Sequence, residues 1–251
     1  MPVTKIRLDQ MIVEKGLAQS RPSAKTLIMA GKVLVNNYPV DKPGTLISID
    51  KKILVKGGQN RYVSRGGLKL EKALKAFKID VSGFDCLDVG ASTGGFTDCL
   101  LQHGAARIFA VDVGYGQLAW KLRQDPRVHV IERTNIRHMP IETISRPVDL
   151  ITIDVSFISL KIVVPEVIQF TGADGAILAL IKPQFEVGKG NVGKGGVVKS
   201  PILHRKVIDD LSTFFTKEGL IYKSITPSVL LGPKGNKEFF IYLRRLNYKP
   251  K

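Results

Sequence analysis

The stretch that most constrains this chain is a strand that leads into a glycine-rich turn. It consists of Asp85-Cys86-Leu87-Asp88-Val89-Gly90-Ala91-Ser92-Thr93-Gly94-Gly95-Phe96-Thr97. Glycine lets backbone amides approach a ligand closely, and the N-terminus of a following helix carries partial positive charge. A strand, a glycine turn and a helix start in this order predict the edge of a nucleotide-shaped pocket in a doubly wound sheet. A tight turn in another kind of α/β protein is the alternative.

The spacing of this turn differs from that of a dinucleotide-binding turn. Gly90, Gly94 and Gly95 follow a G-x-x-x-G-G pattern, and Asp88 lies two residues before the first glycine. A carboxylate there would repel a pyrophosphate, but it suits a ligand with a cationic group. S-adenosylmethionine carries an ammonium and a sulfonium and no phosphate, so we expect it as the cofactor. We expect Asp88 to hold its methionine end, with backbone approach at Gly90, Ser92 and Gly94.

Strand patterns alternate with helix patterns after the turn. We predict strands at 85–89, 107–111, 128–131, 150–154, 176–182, 221–225 and 239–243, and helices at 97–102, 116–125, 160–170 and 201–218. This alternation predicts an α/β domain, Rossmann-like, whose seven-stranded sheet is mostly parallel and binds ligands at the C-terminal ends of its strands.

Two polar residues after later strands are further candidates for cofactor binding. Asp112 follows the second strand, where an acid about twenty residues past the turn accepts hydrogen bonds from ribose hydroxyls. Asn135 ends the loop after the third strand, which we expect to face the adenine. For Asn135, a polar loop residue without a ligand role is the alternative.

The charge of the chain points to a polyanionic partner. The formal net charge is +16 and the sequence pI is about 9.9. Nucleic acid is the partner that we expect, and a membrane surface is the alternative. No apolar run reaches the roughly 18 residues of a membrane span, and residues 1–7 lack the apolar core of a signal peptide. Cys86 and Cys99 lie on apolar faces, so we expect buried thiols in a cytoplasmic protein.

The N-terminal quarter of the chain carries half of this charge. Residues 1–65 contain twelve Lys/Arg and four Asp/Glu. Helical spacing ends at Gly16, Ser20 is typical of a helix N-cap, and short strands follow from Val33 onward. These patterns predict a small α+β domain over residues 1–60.

This domain resembles the alpha-L RNA-binding motif of a small-subunit ribosomal protein, pseudouridine synthases and tyrosyl-tRNA synthetase. The similar residues are Arg7-Leu8-Asp9, Gly16-Leu17-Ala18, Ser20-Arg21, Ala24, Ile28, Gly31-Lys32-Val33 and Val35-Asn36. The resemblance implies binding of structured RNA through basic residues on the two helices. The matching positions are Arg7, Arg21, Lys25 and Lys32, with solvated surface charges as the alternative.

Residues 61–68 are glycine-rich and basic, and they are typical of a linker. Arg65 in this segment is a further candidate RNA contact, and Ser64 is a candidate cap for the helix that follows. Lys69 opposes the dipole at the start of that helix. It is therefore either a solvated lysine or a lysine placed for a site, in a larger domain that we expect to span residues 69–251.

Three ionisable residues stand at the ends or starts of later predicted strands, namely Asp154, Lys182 and Glu238. With Lys69 they form K-D-K-E in chain order, which resembles the tetrad of the FtsJ-like ribose 2′-O-methyltransferases. The stretches 154–160, 181–186 and 236–239 are similar to signatures of one branch. The whole chain resembles the TlyA family, called haemolysin A-like in older naming. A surface charge or a salt bridge is the alternative for each tetrad residue alone.

This resemblance implies a Rossmann-like methyltransferase domain behind a small RNA-binding domain. It also implies S-adenosylmethionine-dependent 2′-O-methylation of cytidine in ribosomal RNA, in the large subunit and with the small subunit as a further target. Lys182 would contact the 2′-hydroxyl. A nearby Lys69 would favour a neutral Lys182 amine, and Asp154 and Glu238 would favour an ammonium, so deprotonation and orientation both stay open. An RNA-binding assembly factor with a vestigial cofactor site and a membrane-active haemolysin are the alternatives.

Two further patterns are considered for ligand binding. The segment 188–194 satisfies G-x-x-x-x-G-K, but Gly195 stands where a P-loop has Ser or Thr, so we reject a P-loop. We interpret residues 188–199 as a mobile basic lid that contacts RNA through Lys189, with a plain loop as the alternative. The four histidines show no metal-binding spacing, and methyl transfer from a sulfonium requires no metal, so we expect none.

Overall fold

The computed structural model describes residues 5–18, 20–55 and 61–245, which belong to two compact units, Met1–Arg61 and Tyr62–Lys251. The smaller unit contains β1 (Lys5–Arg7), α1 (Leu8–Glu14), α2 (Arg21–Met29), β2 (Val33–Val35), β3 (Tyr38–Pro39), β4 (Leu46–Ser48) and β5 (Ile53–Val55). The two predicted helices and the strands after them are confirmed. The pairing of β1 with β4 was not predicted, because three residues carry too short a pattern.

Local sequence explains the boundaries of these elements. Ser20 caps α2, since its hydroxyl accepts a hydrogen bond from the amide of Ser23. Asn36 and Asn37 both have positive φ, at 49° and 70°, and asparagine tolerates this conformation in the tight turn between β2 and β3. The apolar residues of both helices pack on β2 and β5. The buried core consists of Leu8, Met11, Ile12, Ala24, Ile28, Val33 and Ile53.

One buried carboxylate ties the start of α1 to the start of α2. Asp9 is fully buried and receives the Arg7 guanidinium through two bonds of 3.0 Å, while Arg21 approaches it at 3.2 Å. These hydrogen bonds, chiefly the one from Arg7, lower the pKa of Asp9 to about 2 against the cost of burial. The two arginines therefore neutralise the buried negative charge of Asp9 in the small unit.

The larger unit begins with α3 (Arg65–Phe77) and is built on one sheet. Its strands are β6 (Asp85–Val89), β7 (Arg107–Val111), β8 (Val128–Ile131), β9 (Val148–Ile153), β10 (Thr171–Ile181), β11 (Leu220–Pro227) and β12 (Phe239–Arg245), and its further helices are α4 (Gly95–Gln102), α5 (Trp120–Arg123), α6 (Leu160–Val167) and α7 (Pro201–Lys217). The strand order is β11-β12-β10-β9-β6-β7-β8, and β12 is antiparallel to both of its neighbours. The predicted α/β class and the seven-stranded, mostly parallel sheet are confirmed.

Helices cover the sheet on both faces, and successive side chains of each strand point to opposite faces. Leu87 and Val89 pack with α6 and α7 on one face, while Cys86 packs with α3 and α4 on the other. Cys86 and Cys99 are both buried thiols that form no disulfide, as predicted. The chain leaves β6 toward β7 on one side and reaches β9 on the other, so the sheet has its topological switch point between β6 and β9.

The largest differences from the sequence predictions lie at three boundaries. The helix expected at 116–125 is only α5, because the chain before it forms bends, and the amide of Ala119 is bonded to the carbonyl of Thr93 in the glycine turn at 3.2 Å. β10 begins at Thr171, five residues earlier than expected, and shifts register before Ala176. α3 begins at Arg65 under the Ser64 cap, so residues 65–68 of the expected linker are helical.

The Asp9 cluster makes the stability of the small unit depend on pH. The pKa of Asp9 is about 2 when folded and about 3.9 in an unfolded chain, so its contribution is complete above about pH 4 and is lost as the pH falls toward 2. We expect Asp9→Asn to lower the free energy of unfolding by roughly 1–2 kcal/mol at pH 7, after screening of the half-exposed arginines.

Hydrogen exchange of amides in α1 and α2 at pH 7 and at low pH, in wild type and variant, measures this difference. Asp41→Asn, which changes an exposed carboxylate of the same unit, is the control. A difference between wild type and Asp9→Asn that stays equally large near pH 2 would contradict the prediction.

Candidate active site

Two adjoining cavities open at the C-terminal ends of the central strands. The first, which we call the turn cavity, has a volume of about 530 Å³ and lies beside the glycine turn, Asp112 and Asn135. The second, the tetrad cavity, has a volume of about 400 Å³. Both are lined by Gly90, Ser92, Asp154 and Ser156. A molecule in one cavity would therefore meet a molecule in the other at these four residues.

Asp112 organises the wall of the turn cavity. One oxygen of its carboxylate accepts the amide of Ser92 at 2.8 Å, and the other accepts the amide of Gly114 at 2.7 Å. Ser92 has a positive φ of 49°, which this bond helps to hold. Each carboxylate oxygen has a second acceptor site, so Asp112 can still bind hydroxyl groups in the cavity.

Asn135 also lines the turn cavity, as the sequence led us to expect for a residue that faces a ligand. Its side-chain oxygen accepts the amide of Arg137 at 3.2 Å and caps the short helical turn Ile136–His138. The buried Ile136 and the partly buried Ile158 contribute apolar walls to the same cavity. This end of the cavity suits a flat apolar ring with polar edges.

The two glycines that we expected to approach a ligand have different neighbours. Gly90 has φ of 83°, and a side chain there would collide with the backbone carbonyl of Asp154. Gly94 has φ of 94° and lies beneath Leu118 and Leu122, which leave no room for a side chain. Gly90 lines both cavities but Gly94 lines neither. Leu118 and Leu122 cover this residue, and the backbone approach to the cofactor that we predicted for Gly94 stays a prediction.

Asp88 lines neither cavity, so a hold on the methionine end would act through the turn, which stays a prediction. The alternation of β6 turns its side chain away from the cavity, where it is fully buried. Thr97 donates to one of its oxygens at 2.7 Å and Thr152 to the other at 3.1 Å. Burial raises the pKa of Asp88 to about 6, against these two hydrogen bonds. Asp88 thus joins the start of α4 to β9 behind the turn.

The four tetrad residues come from four separate elements and all line the tetrad cavity. Lys69 on α3 binds Glu238, which precedes β12, with 2.5 Å between Nζ and Oε2. Lys182, directly after β10, binds Asp154, directly after β9, with 2.6 Å between Nζ and Oδ1. All four side chains are largely shielded from solvent. The tetrad is therefore two adjacent ion pairs around one cavity.

Each of the two pairs retains a polar group that can bind a ligand. The Lys182 ammonium has three donors; it forms an ion pair with Oδ1 of Asp154 and donates one hydrogen bond to the Ser156 hydroxyl at 2.9 Å. In Glu238 the Oε1 atom is buried and accepts no hydrogen bond from the described residues, and it lies against Gly232. A buried acceptor without a donor is costly, so such atoms are found where a ligand or water binds.

Ser156 and Phe157, which follow Asp154, were not predicted as site residues. Ser156 contacts Lys182 and lines both cavities. Phe157 is 90% exposed, has a positive φ of 64°, and lies 5.0 Å from the ring of Phe185. A large exposed aromatic residue in the left-handed region is unusual. A sequence pattern that could have indicated them is a serine and an aromatic residue shortly after a strand that ends in an acid.

The loop at 188–199 is anchored beside Glu238 at one end. Asn236 donates to the carbonyl of Gly196 at 2.9 Å and accepts the amide of Val198 at 3.0 Å. Nε2 of His204 lies 2.8 Å from the carbonyl of Val198, which is buried. Mobility of the rest of this loop remains a prediction, and the side chain of Lys189 lies outside the described part of the structure.

The predicted RNA-binding residues differ in their surroundings. Lys25 and Lys32 are exposed on the small unit. Arg7 and Arg21 are about half exposed, but their guanidinium groups bind Asp9, so only part of each is open to a ligand. Arg65 is exposed at the start of α3 and lines the tetrad cavity. Within the described ranges no cluster of three or more residues is arranged to hold a metal ion.

Comparison with known proteins gives two family matches. Residues 62–245 match FtsJ-like methyltransferase, and residues 6–53 match the S4 domain. The chain is 48% identical over 239 residues to 16S/23S rRNA (cytidine-2′-O)-methyltransferase TlyA of Mycobacterium tuberculosis, covering 95% of this chain and 89% of that protein. It is 41% identical over 239 residues to Hemolysin A of Brachyspira hyodysenteriae, covering 94% of this chain and 99% of that protein.

A solved structure of a hemolysin-named protein from Streptococcus thermophilus is also similar. The TM-score is 0.76 at 41% identity, and the alignment covers 98% of this chain and 90% of that one. In the described residues no helix is long and apolar enough to cross a membrane.

The raised pKa of Asp88 predicts that its charge costs stability at neutral pH. The carboxyl favours the folded state below about pH 4, and this advantage is lost as the pH rises through its folded pKa of about 6. Relative to Asp88→Asn, we expect wild type to lose roughly 3 kcal/mol of unfolding free energy between pH 4 and pH 7. Urea unfolding of both proteins across this range measures it, with the exposed Asp174→Asn as control. A pH-independent difference between wild type and Asp88→Asn would contradict the prediction.

The anchor at Asn236 predicts a loop that loosens on mutation. Asn236→Ala removes the partners of Gly196 and Val198, so we expect about tenfold faster amide exchange at 193–198 and faster trypsin cleavage after Lys194 and Lys199. Asn191→Ala, in the same loop but outside the anchor, should leave the exchange of these amides unchanged. Equal exchange in Asn236→Ala and wild type would rule out this anchoring role.

Proposed function

Because the chain belongs to the FtsJ-like methyltransferase family and carries an S4 domain, we propose that it methylates a ribose 2′-oxygen of cytidine in ribosomal RNA with S-adenosylmethionine as methyl donor. The relative TlyA carries this activity in its name. The observation that carries the proposal is the junction of the two cavities, where Asp154 and Ser156 line both and Lys182 binds both of these residues.

The turn cavity fits the cofactor. Its volume of about 530 Å³ lies in the range of about 300–1,000 Å³ that is usual for ligand sites. Asp112 offers acceptors for ribose hydroxyls, Asn135 and Ile136 suit an adenine, and Gly90 leaves the backbone open near the junction. When bound, S-adenosylmethionine supplies a methyl group on a sulfonium, which is already an activated leaving group. The acidic groups at the junction suit a positively charged ligand.

Lys182 is the residue that we assign to the 2′-hydroxyl. Of its three ammonium donors one is directed at Ser156, and the ion pair with Asp154 holds the group in place, which leaves a donor for the ribose oxygen. An ammonium that is held by a carboxylate acts as a donor, so we infer that Lys182 orients the oxygen for in-line attack on the methyl carbon. Positioning of this kind supplies a large part of a rate enhancement. The carbon–oxygen bond would form as the carbon–sulfur bond breaks, with its electron pair kept by sulfur, and the hydroxyl proton would pass to solvent water.

Lys69 and Glu238 hold the acceptor nucleotide in this proposal. Their ion pair lines the tetrad cavity, and the unpaired Oε1 of Glu238 is an acceptor for a sugar hydroxyl. Because the two lysines are each neutralised by a carboxylate, the tetrad itself suits a sugar, and Arg65 in the same cavity suits its phosphate. Asp154 keeps Lys182 in place at the junction.

Basic residues outside the cavity supply affinity for RNA. The net charge of +16, the exposed Lys25 and Lys32 on the S4 domain and Arg65 beside the tetrad cavity support contacts with phosphates. Such contacts add affinity without base specificity, so the choice of nucleotide would come from the shape of folded RNA. We propose large-subunit RNA as the substrate, small-subunit RNA as a further one, and the cytoplasm as the place of action.

Methyl transfer to purified ribosomal subunits and to naked ribosomal RNA, from labelled S-adenosylmethionine, tests the proposal. We expect label on a cytidine ribose, which makes the adjacent phosphodiester resistant to alkali because the 2′-oxygen can no longer attack it. We expect Lys182→Ala to reduce kcat by at least about 100-fold, since positioning is lost, and to leave S-adenosylmethionine affinity within about threefold.

Lys75→Ala, an exposed lysine in the last turn of the same α3 that carries Lys69, is the control and should retain activity. Label on a base would retain the methyltransferase class and overturn the role of the tetrad. Salt-sensitive RNA binding without transfer to either subunit or to naked RNA would favour an assembly factor. Full activity in Lys182→Ala would remove this lysine from the mechanism.

A further inference from the structure

The single tryptophan of the chain is exposed. Trp120 is the first residue of α5, and 71% of it is accessible to solvent. Single exposed apolar side chains are common on folded proteins. A tryptophan nevertheless offers a large aromatic surface to a partner, so its position decides whether the exposure is used. In the described part of the chain neither an aromatic ring nor a cation stacks on it, whereas the exposed Tyr115 is covered by Arg133 at 4.1 Å.

The backbone that carries Trp120 is held firmly on three sides. Leu118 and Leu122 are buried beside Gly94. Lys121 binds the buried Asp98 through two bonds of 2.9 and 3.1 Å. Nε of Arg123 donates to the carbonyl of Leu118 at 3.1 Å. The side chains on both sides of Trp120 thus hold α5 in place, while the indole is exposed to solvent.

Trp120 follows Ala119, whose backbone is bonded to a residue of the tetrad cavity wall. Ala119 donates its amide to the carbonyl of Thr93 at 3.2 Å, and Thr93 lines that cavity together with Arg65 and Lys182. The indole is therefore placed close to the region where a nucleotide would enter. Arg65 is exposed and positively charged at the same wall, so a polyanion is favoured there over a neutral or basic partner.

We propose that Trp120 stacks on a nucleobase of the bound RNA, next to the nucleotide whose ribose occupies the tetrad cavity. This inference rests on the proposed function, because it assumes an RNA acceptor in that cavity. Every nucleobase offers a π-face, so the contact adds affinity and holds the strand without choosing a sequence. A rigid exposed indole serves this purpose with little loss of side-chain freedom, because only two torsions have to be ordered.

Fluorescence provides a direct test, because the chain contains one tryptophan. The probe is a short oligocytidylate, and the control ligand is an abasic ribose-phosphate chain of the same length and charge. Excitation at the red edge, where tyrosine does not absorb, reports on Trp120 alone. We expect the oligocytidylate to quench the tryptophan fluorescence strongly and the abasic chain to quench it little. The two are compared at equal occupancy, which is measured by the fluorescence anisotropy of a dye on the ligand.

Variants extend the test to function. We expect Trp120→Ala to weaken oligocytidylate binding and to lower kcat/KM for ribosomal RNA by about 5- to 100-fold, with unchanged affinity for S-adenosylmethionine. Trp120→Phe, which keeps a stacking ring, should recover most of both. Tyr222→Ala removes an exposed aromatic residue from β11, the far edge of the sheet, and should change neither.

Two results would overturn the proposal. The first is unchanged tryptophan fluorescence when the dye shows that oligocytidylate is bound. The second is a Trp120→Ala variant with wild-type RNA affinity and a lowered melting temperature, which would mean that Trp120 packs against a protein surface. Both readouts work on RNA binding alone, so an enzyme without detectable methyl transfer would refute the proposed function and leave the stacking test intact.

Discussion

The close approach of Gly90 to the backbone of Asp154 is the contact on which the rest of the site depends. β6 and β9 are neighbours at the topological switch point, and their C-terminal ends can meet this closely only because residue 90 has no side chain and adopts a positive φ. The contact brings the glycine turn beside the loop that carries Asp154 and Ser156. The two cavities share a wall for this reason, and a donor and an acceptor can meet without any large rearrangement.

The electrostatics of the tetrad follow from pairing rather than from isolated charges. Lys69 with Glu238 and Lys182 with Asp154 are each nearly neutral as a pair, which limits the cost of placing four charges away from water. Each pair nevertheless keeps one unused hydrogen-bonding group, a donor on Lys182 and an acceptor on Glu238. The tetrad itself is thus polar and close to neutral, which suits a ribose, while Arg65 adds a positive charge to the same cavity.

The residues at strand ends were predictable because their position depends on local pattern alone. An apolar strand that ends in Asp112, Asp154 or Lys182 has to deliver that side chain to the edge of the sheet, and the structure shows all three there. The roles of Asp88 and Gly94 were not predictable in this way. Asp88 lies one residue before the edge, where alternation turns it inward, and Gly94 is covered by a segment more than twenty residues later in the chain.

The sequence by itself determined the α/β class, the two units, the helix caps at Ser20 and Ser64 and the acidic and basic ends of the strands, since periodicity and capping act over a few residues. Only the tertiary structure decided which charges pair. Arg7, Arg21 and Lys25 were predicted as RNA contacts on the same grounds. Arg7 and Arg21 nevertheless bind the buried Asp9, whereas Lys25 is exposed. Likewise, Ser156 became part of the site because chain folding brings β9 and β10 side by side. Long-range packing sets such contacts, and no local pattern encodes them.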